Sequence, residues 1–277
     1  MKMRKYAFAL SLPFICGFLL FYVMPFFYSI YYSVIESAFS DAFVGPDNYV
    51  SVFSNKYYRL ALTNTLEFAL IGVPMLVLLS LVLALMLHGL GGGHGTLRGA
   101  FILPMLLPTA SVIPIVSQVF GNRGGAYLTL KGLGLGASQL VRLPIYLLYF
   151  WKNAGFNVIL IMAALMMIPK VIYEAAALDG ACGFRRFRSI TLPLIGPTLF
   201  FVMVLSVVQS LRVFKEAYLL YGAYPDPSIY LVQHYMNNHF YKLNYQNLTS
   251  GAIMFALIVY LLVAIGYRFE RRMDVTL

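Results

Sequence analysis

Stretches of twenty or more residues without a single charge recur along this chain, and they leave it few ways to fold. Residues 7–33, 99–121, 189–211 and 243–267 contain no Asp, Glu, Lys or Arg. About twenty apolar residues are what a helix needs to cross the hydrocarbon of a bilayer. Only 11% of the 277 residues are charged and 61% are hydrophobic, whereas soluble domains carry about 25% charged residues. The chain reads as an all-α polytopic membrane protein. Six spans are expected, over 7–33, 62–88, 99–120, 140–168, 193–221 and 249–267. The first is too long for a signal-peptide core and lacks a clear Ala-x-Ala site, so it counts as a helix.

The net charge of +10 invites a nucleic-acid reading, but its placement follows the membrane instead. With six spans, Lys2, Arg4, Lys5, Arg98, Lys170, Arg185, Arg186, Arg188, Arg268, Arg271 and Arg272 all fall on one side. Lys56, Arg59, Arg123, Lys131 and Lys242 are spread over the longer connections of the other. The positive-inside rule therefore places both termini in the cytoplasm. Proline marks the third span as bent, at Pro104, Pro108 and Pro114, and Pro13 and Pro25 kink the first. Gly45-Pro46-Asp47-Asn48 reads as a turn before a short surface helix near 48–53, and the glycines of 89–95 as a flexible turn.

One connection stands apart. Residues 174–193 read EAAALDGACGFRRFRSITLP, with Glu174, Asp179, Arg185, Arg186 and Arg188 close together between two apolar runs. A mid-membrane Arg or Asp costs about 2.5–3.5 kcal/mol on the insertion scale, so this stretch lies at a membrane face. Its pattern predicts two short helices joined at Gly180. Glu174 is expected in a first turn, where its charge suits the helix N-terminus. Ala175, Ala176 and Ala177 permit close approach, and Gly180 stops the helix in the left-handed region. Phe184, Phe187 and Thr191 share a face of the second piece. Pro193 suits the first turn of the next span.

The spacing Glu174-Ala175-Ala176, Gly180, Ile190, Leu192-Pro193 resembles in full the cytoplasmic signature of permease subunits of bacterial binding-protein-dependent ABC importers. Asn64-Thr65-Leu66, Leu103-Pro104, Trp151-Lys152, Gly155-Phe156-Asn157, Ile168-Pro169 and Val213-Phe214 extend the resemblance, from about 60 to 267, to the maltose-type carbohydrate-uptake branch. Phe214-Lys215-Glu216 followed by Gly222-Ala223-Tyr224-Pro225 departs from that branch, which commonly has Phe-Asp-Gln/Glu before a Gly-Gly-Pro loop.

The resemblance implies the type I importer permease fold. It divides into a first helix and outer loop (1–61), a permease core (62–267) containing the coupling loop 170–193, and a cytoplasmic tail (268–277). It further implies a bacterial plasma-membrane location and a second, homologous permease. Two ATPase subunits and an extracellular or lipid-anchored solute-binding protein would complete the assembly. ATP and magnesium would bind the ATPase subunits; no cofactor is expected on this chain. Glu174, Ala175, Ala176, Asp179, Gly180, Phe184, Arg185 and Phe187 are the expected ATPase-coupling residues.

Polar groups inside spans are functional candidates by default. Asn64, Trp151, Lys152, Asn157, Gln209, Arg212 and Phe214 are the candidates for lining a sugar pathway, the amides for hydroxyls and the aromatics for stacking. The bland alternative is that the polar ones tie helices together or snorkel to the surface. The cargo expected is a sugar, an oligosaccharide first, with a glycerol-phosphate-type or other anionic polyol as the alternative. A secondary transporter would need internal repeats and coupling-ion residues, and an enzyme a catalytic cluster; neither is visible. His88, His94, His234 and His239 make no metal pattern, and the last two are expected at the surface. Cys16 and Cys182 are expected to stay unpaired.

Overall fold

The computed structural model describes residues 2–37, 40–89, 95–121 and 124–274. Residues 90–94 of the glycine turn expected at 89–95 lie outside them. Five helical stretches among the described residues are long and apolar enough to cross a membrane: Leu10–Val34, Lys56–Gly89, Ala137–Met167, Gly183–Tyr221 and Tyr245–Arg268. The remaining expected span is divided into two 12-residue helices, Gly95–Leu106 and Thr109–Phe120. Pro108 separates them with extended backbone, while Pro104 and Pro114 are accommodated within the halves.

The chain forms two units, Met1–Leu62 with Val232–Tyr260, and Thr63–Leu231 with Leu261–Leu277. The first opens with α1 (Lys2–Phe18), a π turn (Leu19–Val23) and α2 (Met24–Val34). None of the most apolar window of this span is buried, and Phe14 and Phe21 are largely exposed, as lipid-facing residues would be. A hairpin follows, β1 (Ile35–Ser37) against β2 (Ser40–Phe43), then α3 (Asp47–Ser54). Asn48 Nδ2 donates to the carbonyls of Ser33 (3.1 Å) and Ile35 (2.7 Å), satisfying acceptors that the end of α2 leaves open. The core of this unit is aromatic. Tyr58 and Tyr235 meet edge to face, 5.2 Å apart, and the Tyr58 hydroxyl donates to the Gly251 carbonyl at 2.9 Å. Tyr235 belongs to α13 (Val232–Tyr241), a helix inside the expected outer loop, and Gly251 to α14 (Tyr245–Asp274). His234 on α13 is fully buried, contrary to the surface position expected for it. It faces inward because α13 is a packed helix rather than a loop.

In the second unit, α4 (Lys56–Gly89), α8 (Ala137–Met167) and α11 (Leu192–Leu211) share a core. Val73, Val77 and Leu81 pack with Val158, Ile161 and Leu165 and with Ile195 and Val202, at spacings of three, four and seven residues that keep one helix face inward. In lipid such contacts stabilise by close packing more than by exclusion of water. The tightest is between α5 (Gly95–Leu106) and α8. A Cβ on Gly155 would stand 1.6 Å from the Phe101 carbonyl oxygen, so only glycine permits this approach.

α6 (Thr109–Phe120) leads to α7 (Gly125–Gly132), a short helix in what reads from sequence as an irregular glycine-rich connection. After α8 come α9 (Lys170–Leu178) and α10 (Gly183–Arg186), a π turn (Phe187–Thr191), α11 and α12 (Phe214–Tyr221). Both π turns directly precede a Met-Pro or Leu-Pro pair, at Pro25 and Pro193. Proline lacks a donor and crowds the carbonyl four residues back; a widened turn moves that carbonyl aside, and the helix continues.

Candidate functional site

The connection 170–193 folds as two arms with a glycine between them. α9 ends in a Schellman arrangement: Ala181 N–H reaches the Ala176 carbonyl (3.0 Å) and Gly180 N–H the Ala177 carbonyl (3.1 Å). Gly180 has φ +74°, the left-handed conformation its sequence position suggested. Glu174 is in the second turn of α9, because the helix begins at Lys170, four residues before it. The dipole argument for its charge therefore falls away. The second arm is not separate from the next span, since α10 runs through the π turn into α11.

The two arms are joined where Tyr173 and Thr191 share a hydroxyl hydrogen bond of 2.9 Å. Thr191 is buried and Phe187 half-buried against the core, but Phe184 is 72% exposed, so the three residues do not share one packed face. Glu174, Ala175, Asp179, Gly180 and Arg185 are exposed and Ala176 half-buried. With Val171 and Leu178 also exposed, the loop presents small, apolar and charged groups together. Such a surface suits insertion into a partner.

The second constellation lies among α5, α8, α11 and α12, around a cavity of about 190 Å³. Lys152, Asn153, Gln209, Arg212 and Glu216 supply its polar lining. Lys152 Nζ donates to Glu216 Oε1 at 2.8 Å and to Thr109 Oγ1 at 2.5 Å, and the Thr109 hydroxyl donates to the same carboxylate at 3.1 Å. Thr109 opens α6 just beyond the Pro108 break, so this triad holds the interrupted third span to its neighbours. Thr109 and Glu216 are buried. Gln209 lines the cavity with its Oε1 buried and unpartnered among the described residues.

Three of the sequence candidates, Lys152, Gln209 and Arg212, thus converge on the cavity. The others do not. Asn157 is fully buried and donates to Ser206 Oγ at 2.8 Å, tying α8 to α11. Asn64 donates to the carbonyls of Pro227 (2.7 Å) and Tyr230 (3.0 Å), fixing the segment after α12. Trp151 is 44% exposed outside the cavity lining, and Phe214 packs against the Tyr218 ring.

Sequence reading passed over Arg142, Glu67, Thr109 and the pairing of Glu216. Arg142 Nη1 donates to Glu67 Oε1 at 2.6 Å and its Nε to the Ser228 carbonyl at 3.0 Å. The signal was available: an Arg and a Glu each inside an expected span. Nearby, the Ser228 side chain and amide and the Arg142 charge hold the Asp226 carboxyl below its usual range.

Residues 49–275 match the family described as binding-protein-dependent transport system inner membrane component. The chain is 30% identical over 231 residues to the trehalose/maltose transport system permease protein MalF of Thermococcus litoralis, covering 80% of this chain and 78% of that one. It is 30% identical to the arabinooligosaccharides transport system permease protein AraP of Bacillus subtilis, over 76% and 70% of the two chains. The sn-glycerol-3-phosphate transport system permease protein UgpA of Yersinia pestis is 29% identical over 95% and 93%. Among solved structures, a bacterial ABC transporter that imports the acidic polysaccharide alginate superposes with a TM-score of 0.81 at 25% identity, covering 98% and 96%. The alginate transporter in complex with a pentasaccharide-bound periplasmic protein gives 0.77 at 26% identity, with the same coverage.

Proposed function

The chain belongs to the family of inner membrane components of binding-protein-dependent transport systems, and from that premise we propose how it works. It is a permease subunit of an ABC importer, forming half of the path for a sugar delivered by a solute-binding protein. A second, homologous permease supplies the other half, and two cytoplasmic ATPase subunits bind ATP and magnesium. The permease chain carries no catalytic step of its own. Both termini and the loop 170–193 face the cytoplasm, in keeping with the positive-inside distribution.

The observation that carries this reading is the loop. Its signature residues fold into two arms tied by Tyr173 and Thr191, with Glu174, Ala175, Gly180 and Phe184 free for a partner. ATP binding closes the ATPase pair and drives the loops together. Because the second arm is continuous with α11, that movement passes directly into the helix whose far end lines the cavity. The pathway then opens outward to receive sugar, and hydrolysis returns it inward.

The test is co-purification of the ATPase with the detergent-solubilised chain, wild type beside Glu174→Lys. Wild type brings the ATPase with it and the variant loses it or uncouples it from uptake. A wild type that purifies alone and shows no response to nucleotide would sink the importer reading.

A further inference from the structure

The cavity beside Lys152 holds an uneven set of charges. Its lining contains two cations and one carboxylate, Lys152, Arg212 and Glu216. The carboxylate is already engaged, since Lys152 and Thr109 both donate to Glu216 Oε1. Lys152 is therefore neutralised within the protein. Arg212 is in neither of the salt bridges formed among the described residues, and it is exposed at the break between α11 and α12. A cation at a helix C-terminus is favourable in itself, which accounts for the charge but not for its place on a cavity wall.

A second observation points the same way. The Gln209 Oε1, one turn before Arg212, is buried without a hydrogen-bond partner. An unmet buried acceptor is costly, and a hydroxyl donor arriving beside it removes that cost. At about 190 Å³ the cavity is smaller than the roughly 300–1,000 Å³ of sites that bury a drug-sized ligand. Its size suits one sugar ring or a short polyol.

We propose that this cavity is a cargo subsite for a hydroxylated anion, a sugar or polyol unit bearing a carboxylate or phosphate. Arg212 takes the anionic group and the Gln209 amide takes a hydroxyl. The proposal rests on the importer reading above and narrows it. Guanidinium is suited to either anion, because its planar donors match both in a two-point contact. The Lys152–Glu216 pair acts as a positioning element: with Lys152 occupied, a single unmatched positive charge faces the cargo. Neutral sugars still find the amides of Gln209 and Asn153, but they leave Arg212 unmatched.

The experiment uses the complete importer in nanodiscs, without its solute-binding protein, and three labelled probes: glucose, glucuronate and glucose 6-phosphate. Equilibrium dialysis of the wild type gives at least one anionic probe binding about tenfold or more tighter than glucose, the scale of a charge-assisted hydrogen bond. Arg212→Gln brings that ratio to near one, and Gln209→Leu weakens all three probes alike. Raising the salt shrinks the wild-type preference through screening, a measurement that needs no variant to assemble. The proposal is overturned if the wild type binds glucose as tightly as both anions or binds none of the probes. It is equally overturned if the preference ignores salt or Arg212→Gln, or if Gln209→Leu leaves the binding of every probe unchanged. A wild type that co-purifies with its ATPase yet shows no anion preference overturns the cargo subsite alone. One that purifies without an ATPase overturns the importer reading beneath it.

Discussion

Nζ of Lys152 lies 2.8 Å from Oε1 of Glu216, joining α8 to α12, and their side chains are only 18% and 10% exposed. A pair this sheltered is more informative when broken than when present. Removing one partner strands the other in a low-dielectric site, at about 3–5 kcal/mol. Lys152→Met is therefore expected to lower the thermal stability of the solubilised complex by that order. Lys152→Glu combined with Glu216→Lys recovers much of the loss. A double variant no better than either single one would mean that the pair contributes no mutual attraction.

Gly155 faces the Phe101 carbonyl so closely that a methyl group has no room. Gly155→Ala forces α5 and α8 apart, and overpacking of this kind costs about 1–3 kcal/mol. Gly183→Ala is the control, since its Cβ would meet nothing within 4 Å. Thermal unfolding followed by fluorescence should separate the two. Equal midpoints would show that the helices yield freely at this contact.

The φ of +74° at Gly180 makes the loop sensitive to any side chain there. A left-handed L-residue costs about 1–2 kcal/mol, which the loop can relieve by unwinding the end of α9. Gly180→Ala should reduce uptake several-fold while the unfolding midpoint of the membrane core stays in place. Unchanged uptake would mean that the bend between the two arms has no part in coupling.

Burial pushes the His234 pKa down from 6.5 to about 4. Burial, and then the charge of Lys242, lower that of His239 as well. A depressed histidine is held neutral by the fold, so its contribution is complete above about pH 6.5. It is lost as the pH falls toward 4, where protonation favours the unfolded chain. The packing of α13 should weaken over that interval, read by amide hydrogen exchange in Val232–Tyr241. His234→Gln should flatten the dependence. Protection in α13 that stays constant from pH 7 to pH 4.5 would contradict it.

The coupling loop was legible because its information is local. A negative residue, three alanines and a glycine at fixed spacing specify a short helix and its left-handed stop whatever surrounds them. Where the reading of that loop depended on a boundary it slipped, as with Glu174, since nothing local marked the start of α9 at Lys170. The connections between expected spans at 121–139 and 222–248 carry no long apolar run that would announce a helix. Yet Gly125–Gly132 and Val232–Tyr241 are helices; Val232–Tyr241 buries Val232, His234, Tyr235 and Asn238, and there packing overrides weak propensity.

By itself the sequence determined that this chain is a bundle of apolar helices. It also determined where those helices are interrupted by proline and where a strongly charged connection stands clear of lipid. Each of these follows from residue type over a window of about twenty positions, a scale on which hydrocarbon solubility and backbone bonding decide everything. The tertiary structure alone decided which polar residues serve packing and which face open space. Asn64 and Asn157 look like Gln209 in sequence, each a lone amide in an apolar run. Asn64 found backbone carbonyls; Asn157 donates to a serine hydroxyl and keeps its own oxygen unmet in the core, while Gln209 keeps an acceptor unmet beside a cavity. Hydrogen-bond satisfaction depends on partners far away in the chain, and only the packed helices bring those partners within reach.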